Sequence, residues 1–293
     1  MQYPEAERTG IEEAGRVPEK STGTDPDSSR AEQNRDNAAQ AILRDGERLD
    51  DLQLGGMMFI QNPSLFCFGM DAVLLSDFAR IRPGEKVIDL CSGSGILPVL
   101  LSAKTRASHL TGVELFAENA ALARRNAELN HLDERVSIIQ GDVRDYRSLL
   151  KEASCEAVTC NPPYIQELPP HHKDAPKRDL VTAARHEIFC TLEDVVCAAA
   201  YVLKSSGRFF MVHRPFRLPQ IIRALSAHHL EPKRMRLVHP YADREPNMVL
   251  IEAVKGGRPH MIVEPPLVVY RAKNTYTDEI LSIYGITDRS VFP

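Results

Sequence analysis

Short apolar runs alternate with longer amphipathic stretches over most of this chain, and the alternation sets the expected elements. Lys86-Val87-Ile88-Asp89-Leu90 is β-branched and follows Pro83-Gly84, which predicts a buried strand. From Gly95 to Lys104 the pattern turns helical, with Pro98 acceptable in the first turn. His109 to Glu114 predicts a second strand, Ala117 to Asn130 a helix, and Val136 to Gln140 a third strand. Ala157 to Cys160 is a fourth strand. Leu192 to Leu203 repeats its apolar positions every three or four residues, as a helix does. Arg208 to Val212 predicts a fifth strand, Leu218 to His228 a helix, and Val249 to Val254 and Leu267 to Tyr270 two late strands. Strand and helix in strict alternation imply an α/β fold: a doubly wound, mostly parallel, seven-stranded sheet with helices on both faces.

The N-terminal stretch departs from this pattern. Residues 1–45 are rich in Glu, Asp, Arg, Ser, Gly and Asn and nearly devoid of large apolar residues, which predicts a disordered acidic tail ahead of one domain over 46–293. Residues 1–50 hold 12 Asp and Glu against 7 Lys and Arg, so the net charge of −4 belongs mainly to this end. Residues 166–244 run the other way, with 13 Lys and Arg against 8 Asp and Glu and seven of the ten histidines. An anionic partner is expected there. No apolar run approaches membrane-spanning length, and no apolar leader is expected. The six cysteines are scattered through apolar runs with no zinc-type pair, which predicts reduced core thiols in a cytoplasmic protein. No carboxylate or cysteine stands at ligand spacing from the histidines, so no metal is expected.

In an open α/β sheet, ligands gather outside the carboxyl ends of the strands. Polar residues collect there in this sequence. The first strand ends in Asp89-Leu90-Cys91-Ser92-Gly93-Ser94-Gly95, the second in Glu114, the third near Asp142 and the fourth in Asn161-Pro162-Pro163-Tyr164. Small residues before a helix N-terminus let a ligand approach the backbone. A third glycine, needed for a pyrophosphate-binding GxGxxG loop, is replaced by Pro98. A nucleoside without a pyrophosphate fits better, its ribose on Glu114 and its base near Asp142. The two prolines make Asn161–Tyr164 a stiff turn. It offers an amide oxygen, free carbonyls and a ring, a set suited to a planar group with an exposed amino nitrogen.

Asp89–Gly95, Glu114, Asp142 and Asn161–Tyr164 resemble the ordered motifs of class I S-adenosylmethionine-dependent methyltransferases that act on amino nitrogens. This chain has Cys91 where the usual loop has glycine. The resemblance narrows through the flanking segments, which include Phe66-Cys67-Phe68-Gly69-Met70-Asp71, Ala184-Arg185-His186-Glu187, Val212-His213-Arg214-Pro215 and Pro265-Pro266-Leu267-Val268. From about residue 46 to the end the chain is similar to the bacterial tRNA1(Val) adenine-N6 methyltransferases. That likeness implies methylation of adenosine 37 in the anticodon loop, with S-adenosylmethionine as cofactor, tRNA as partner and no metal. It implies that Asp89, Cys91, Gly93 and Gly95 hold the methionine part, Glu114 the ribose and Asp142 the adenine, with Phe68 and Asp71 helping to roof the cofactor. Asn161, Pro162 and Tyr164 become the catalytic residues. Lys173, Lys177, Arg178, Arg185, His213 and Arg214 become candidates for tRNA contact. The rival readings are a release-factor glutamine methyltransferase, which would need a helical N-terminal domain, a DNA adenine methyltransferase, and a non-catalytic cofactor-binding module.

Overall fold

A computed structural model describes residues 43–65, 67–163 and 190–286. The elements in chain order are β1 (Arg48–Asp51), β2 (Met58–Gln61), α1 (Met70–Phe78), β3 (Lys86–Leu90), α2 (Ile96–Lys104), β4 (His109–Glu114), α3 (Ala117–Leu129) and β5 (Val136–Gln140). There follow a one-turn α4 (Tyr146–Leu149), β6 (Cys155–Cys160), α5 (Leu192–Val202), β7 (Leu203–His213), α6 (Leu218–Ala227), β8 (Leu230–His239) and β9 (Met248–Lys255). Four short strands, β10 (Ile262–Val263), β11 (Leu267–Val268), β12 (Tyr270–Ala272) and β13 (Thr275–Tyr276), precede α7 (Asp278–Ile283).

The main sheet runs β5-β4-β3-β6-β7-β9-β8, and β10 and β11 add two-residue pieces to the outer edge of β8. The first five of these strands are parallel, and β9 alone runs antiparallel, inserted between β7 and β8. Strand order reverses between β3 and β6, which makes their carboxyl ends the topological switch point. Alternate side chains fill the two faces. Val87, Ala157, Phe210 and Val212 pack with α1 and α2 on one side. Ile88, Val158, Phe209 and Met211 pack with α5 and α6 on the other. Burying each large side chain contributes about 1.5–3 kcal/mol, so both faces hold the sheet.

The strand reading needs one substantial correction. The seventh full strand is β8, over a stretch that the apolar pattern passes by, and Leu267–Tyr270 is broken into β11 and the start of β12. The sequence of β8, Leu-Glu-Pro-Lys-Arg-Met-Arg-Leu-Val-His, hides it. Pro232 sits beside a register shift against β9, where a missing N–H is tolerated. Arg234 is buried because Glu252 binds its Nε at 2.7 Å, the Phe78 carbonyl accepts from its Nη2 at 2.6 Å, and Glu264 pairs with its Nη1. Two smaller differences concern ends: Gly95 is the N-cap of α2 rather than its first residue, and β7 starts five residues earlier than the apolar run.

The β1–β2 hairpin and α1 were also outside the expected pattern. Asn126 of α3 and Asn130, its C-cap, substitute for a partner strand along one edge of β2. Asn126 accepts from the Ile60 N–H at 2.7 Å and donates to the Ile60 and Ser94 carbonyls at 3.1 and 3.0 Å. Asn130 pairs with both backbone groups of Met58. Arg125 holds Glu47 through both carboxylate oxygens, at 2.6 and 2.8 Å.

Candidate functional site

A cleft of about 870 Å³, counted to its open mouth, lies at the switch point. Its walls come from the ends of β3, β4, β5 and β6: Cys91 to Ser94, Glu114 to Phe116, Asp142 and Val143, and Asn161 with Pro163. Phe68 and Ala72 close one side, Ile96, Leu97 and Asn119 another, and Cys190 faces in from just before α5.

The loop after β3 turns tightly through the left-handed region, with φ of 59° at Cys91, 57° at Gly93 and 84° at Gly95. The first value explains why glycine is common at the position that Cys91 fills. Gly95 is constrained twice, since a Cβ there would stand 3.0 Å from the Cβ of Ala123 and 3.2 Å from its Cα. Asp89 lies beneath the loop, buried, with Thr159 Oγ1 donating to it at 2.7 Å. Burial pushes its carboxyl up to about 7, against the hydroxyls of Thr159 and Ser92.

Glu114 organises the adjoining wall. The N–H groups of Gly93 and Phe116 donate to its two oxygens at 2.9 and 3.0 Å, and Asn119 Nδ2 approaches at 3.3 Å. Burial raises its pKa, and those donors work against the rise. A carboxylate has about four lone-pair positions, so room for a ligand hydroxyl remains on the oxygen that faces Gly93. Asp142 is arranged differently from a free acceptor. It caps the turn after β5 through the Arg144 N–H and pairs with the Arg144 guanidinium at 2.5–3.0 Å, which holds its carboxyl below the usual range.

Two amide oxygens on the cleft wall, Asn119 Oδ1 and Asn161 Oδ1, are buried without a hydrogen-bond partner among the described residues. Buried polar atoms are nearly always paired. Two such atoms on residues that line one cleft fit a polar ligand with N–H or O–H donors. Asn119 escaped the sequence reading because it lies in the first turn of α3, as its third residue, rather than at a strand end. Its only sequence signal is an amide at helical spacing from Phe116.

The structure brings Asp89, Cys91, Gly93, Gly95, Glu114, Asp142, Asn161, Pro162 and Phe68 to one end of the sheet. Phe68 is fixed by an edge-to-face contact with Phe59, at 5.4 Å between ring centres, and by its N–H bond to Gln61. Asp71 does not line the cleft. Its Oδ1 accepts from the Ala72 N–H at 2.9 Å, at the start of α1. His213 stands at the end of β7 as expected but is buried, and burial lowers its pKa to about 3, so it is neutral and out of reach of a phosphate. Arg214 donates to the Asn247 carbonyl at 3.0 Å. Tyr164, Lys173, Lys177, Arg178 and Arg185 lie outside the described residues. The six cysteines are thiols rather than disulfides. No helix among the described residues is long and apolar enough to cross a membrane.

A parallel sheet of this strand order, with a small-residue loop after its first core strand and acids at the next strand ends, defines a class I methyltransferase. The chain belongs to the methyltransferase small domain family, which matches residues 56–230. Among curated relatives, the tRNA1(Val) (adenine(37)-N6)-methyltransferase of Porphyromonas gingivalis is 27% identical over 190 residues, 63% of this chain and 72% of the relative. The enzyme of the same name from Aeromonas hydrophila is 26% identical over 216 residues, 73% of this chain and 87% of the relative. The crystal structure of a protein from Agrobacterium tumefaciens, described as a predicted O-methyltransferase, superposes with a TM-score of 0.59 at 22% identity. It covers 74% of this chain and 96% of its own and shares the fold.

Proposed function

We propose that this methyltransferase modifies the N6 amino group of an adenosine in tRNA, with position 37 of tRNA1(Val) as the expected target and the cytoplasm as its compartment. The observation that carries the reading is the unpartnered Oδ1 of Asn161, buried on the cleft wall and followed at once by Pro162. An amide oxygen and a proline carbonyl at a strand end can accept the two N–H bonds of one amino group. The names of the relatives select adenine in tRNA from among the possible amino groups.

S-adenosylmethionine supplies, when bound, a methyl group already activated by its sulfonium. Asp89, Cys91, Gly93 and Gly95 are assigned to its methionine part, Glu114 and Asn119 to the ribose, and Asp142 to the adenine, with Phe68 as a wall. An exocyclic amino nitrogen is a poor nucleophile because its lone pair is delocalised into the ring. Acceptors at Asn161 and Pro162 favour the pyramidal form, in which the lone pair is free to attack. The proton lost after transfer starts out hydrogen-bonded to one of those oxygens and passes to solvent. No strong base is required, so the rate rests on positioning and fixed dipoles. Tyr164 is assigned to hold the base plane by stacking, and the basic residues 173–185 to the phosphates.

The purified protein and labelled S-adenosylmethionine, offered in parallel to bulk tRNA, release factor and DNA, test the reading. Label in tRNA, recovered as N6-methyladenosine by nucleoside analysis, is the expected result; label only in protein or DNA overturns it. Asn161→Ala should lose at least about a hundredfold in turnover while keeping its cofactor affinity. Undiminished turnover would sink the assignment of Asn161.

A further inference from the structure

The fold brings together three metal-ligating side chains that sequence spacing keeps apart. Glu193 and Cys197 stand one turn apart on α5, and His228 is the C-cap of α6. Their ligand atoms all lie within 4.8 Å of one another. His228 Nε2 is 2.5 Å from Glu193 Oε1 and 3.4 Å from Cys197 Sγ. The expectation that no cysteine or carboxylate partners a histidine is thus incorrect at this place, since the partners come from a helix 31 residues earlier in the chain.

We propose that Glu193, Cys197 and His228 form a zinc site, with water as the fourth ligand. Tetrahedral zinc with one sulfur, one nitrogen and one oxygen ligand places those atoms about 3.3–3.7 Å apart. The sulfur–nitrogen separation already meets that geometry. The oxygen–nitrogen separation must open by under about 1 Å, and the Glu193 side chain, 58% exposed, is free to move that far. A glutamate and a cysteine at i and i+4 share one face of a helix, so α5 alone supplies two of the three ligands. Cys197 and His228 are half-buried, which gives the cation two anchored ligands and one mobile, solvent-facing carboxylate. A thiolate, an imidazole and a carboxylate are the donor set of a borderline-soft cation, unlike the all-oxygen sets of calcium or magnesium. On binding, the Cys197 S–H proton passes to solvent and the thiolate takes the metal.

Asp194, next in sequence to Glu193, is committed to the capping box of α5, where its carboxylate receives Thr191 N and Oγ1 at 2.9 and 2.6 Å. The cation lies off the catalytic cleft. It would tie the first two turns of α5 to the end of α6, and α5 begins two residues after Cys190, which lines the cleft. Its role is therefore to fix a wall of the cleft from outside.

The test uses the full chain, stripped of metal and titrated with zinc chloride or cobalt chloride. One equivalent of zinc should bind, and the cobalt form should show near-ultraviolet thiolate-to-metal absorption. Cys197→Ser should abolish that absorption, and Cys197→Ser and His228→Gln should each lose the stoichiometric zinc. Zinc should raise the melting temperature of the unaltered protein and leave that of Cys197→Ser unchanged. Glu193→Gln, at an exposed position, retains the fold and should bind zinc more weakly. If the unaltered protein takes up no zinc beyond the level of Cys197→Ser, or its cobalt form lacks the thiolate absorption, the site does not exist.

Discussion

Asp89 and His213 are both deeply buried, and burial moves their protonation in opposite directions. Asp89 titrates near 7 in the folded chain, against an ordinary carboxyl value near 4. Between those values the folded form keeps a proton that the unfolded form has lost. The contribution of Asp89 to stability is therefore full below about pH 4 and drains away as pH rises toward 7. His213 titrates near 3, below the ordinary 6.5, so its share is present above 6.5 and drains away as pH falls toward 3. Replacing Asp89 with Asn should remove the first drain and leave the second, so the melting temperature of the variant should rise more steeply from pH 4 to 7 than that of the parent. A cationic cofactor favours the ionised carboxylate, so its affinity should grow as pH climbs to about 7. Titration calorimetry of Asp89→Asn should find that growth gone; a surviving pH dependence would remove Asp89 from the cofactor. At this scale the sequence was informative wherever a polar residue ended a strand. It was silent on Asn119, whose place on the cleft wall depends on where a helix is laid, and on the engagement of Asp142 by Arg144, which is a matter of side-chain placement.

Among the elements, α3 does more than its periodicity announces. Its apolar positions Ala120, Leu122, Ala123 and Ala127 made it readable as a helix, but its polar Asn126 helps to fasten the β1–β2 hairpin. Asn126→Ala would strand the buried Ile60 N–H and the Ser94 carbonyl together. The expected cost is about 3 kcal/mol in urea denaturation, a loss that an exposed polar residue would not cause. The loop after β3 behaves in the same way. Gly95→Ala adds a Cβ at 3.0 Å from Ala123 and at a φ of 84°, and should destabilise by about 2 kcal/mol, whereas Cys91→Gly should be neutral or stabilising. Elements with strong apolar runs were legible because period and burial agree. β8 was not, because its charged residues are neutralised by partners far away in sequence, and no local pattern announces that Glu252 and Glu264 will meet Arg234.

The molecule as a whole is a sheet with one chemical end. Alternation of strand and helix was enough to expect parallel strands and a ligand at their carboxyl ends, because handed crossovers leave few other arrangements. The strand order, with β9 antiparallel beside β7, depends on which edges find partners and was not readable. If the substrate is a polyanion, binding should weaken by roughly threefold per phosphate contact for each fourfold rise in salt. Filter binding of tRNA between low and moderate ionic strength measures this, and an affinity indifferent to salt would exclude a backbone-contacting substrate. The bond from Asn126 to the Ser94 carbonyl has a further consequence at this scale. Ser94 belongs to the cleft and Ile60 to the hairpin, and one side chain grips both. Whatever quiets the loop must therefore quiet the hairpin, by the same free energy in either direction. The Ile60 amide, which does not line the cleft, becomes a reporter: its rate of deuterium uptake should fall when the cleft fills.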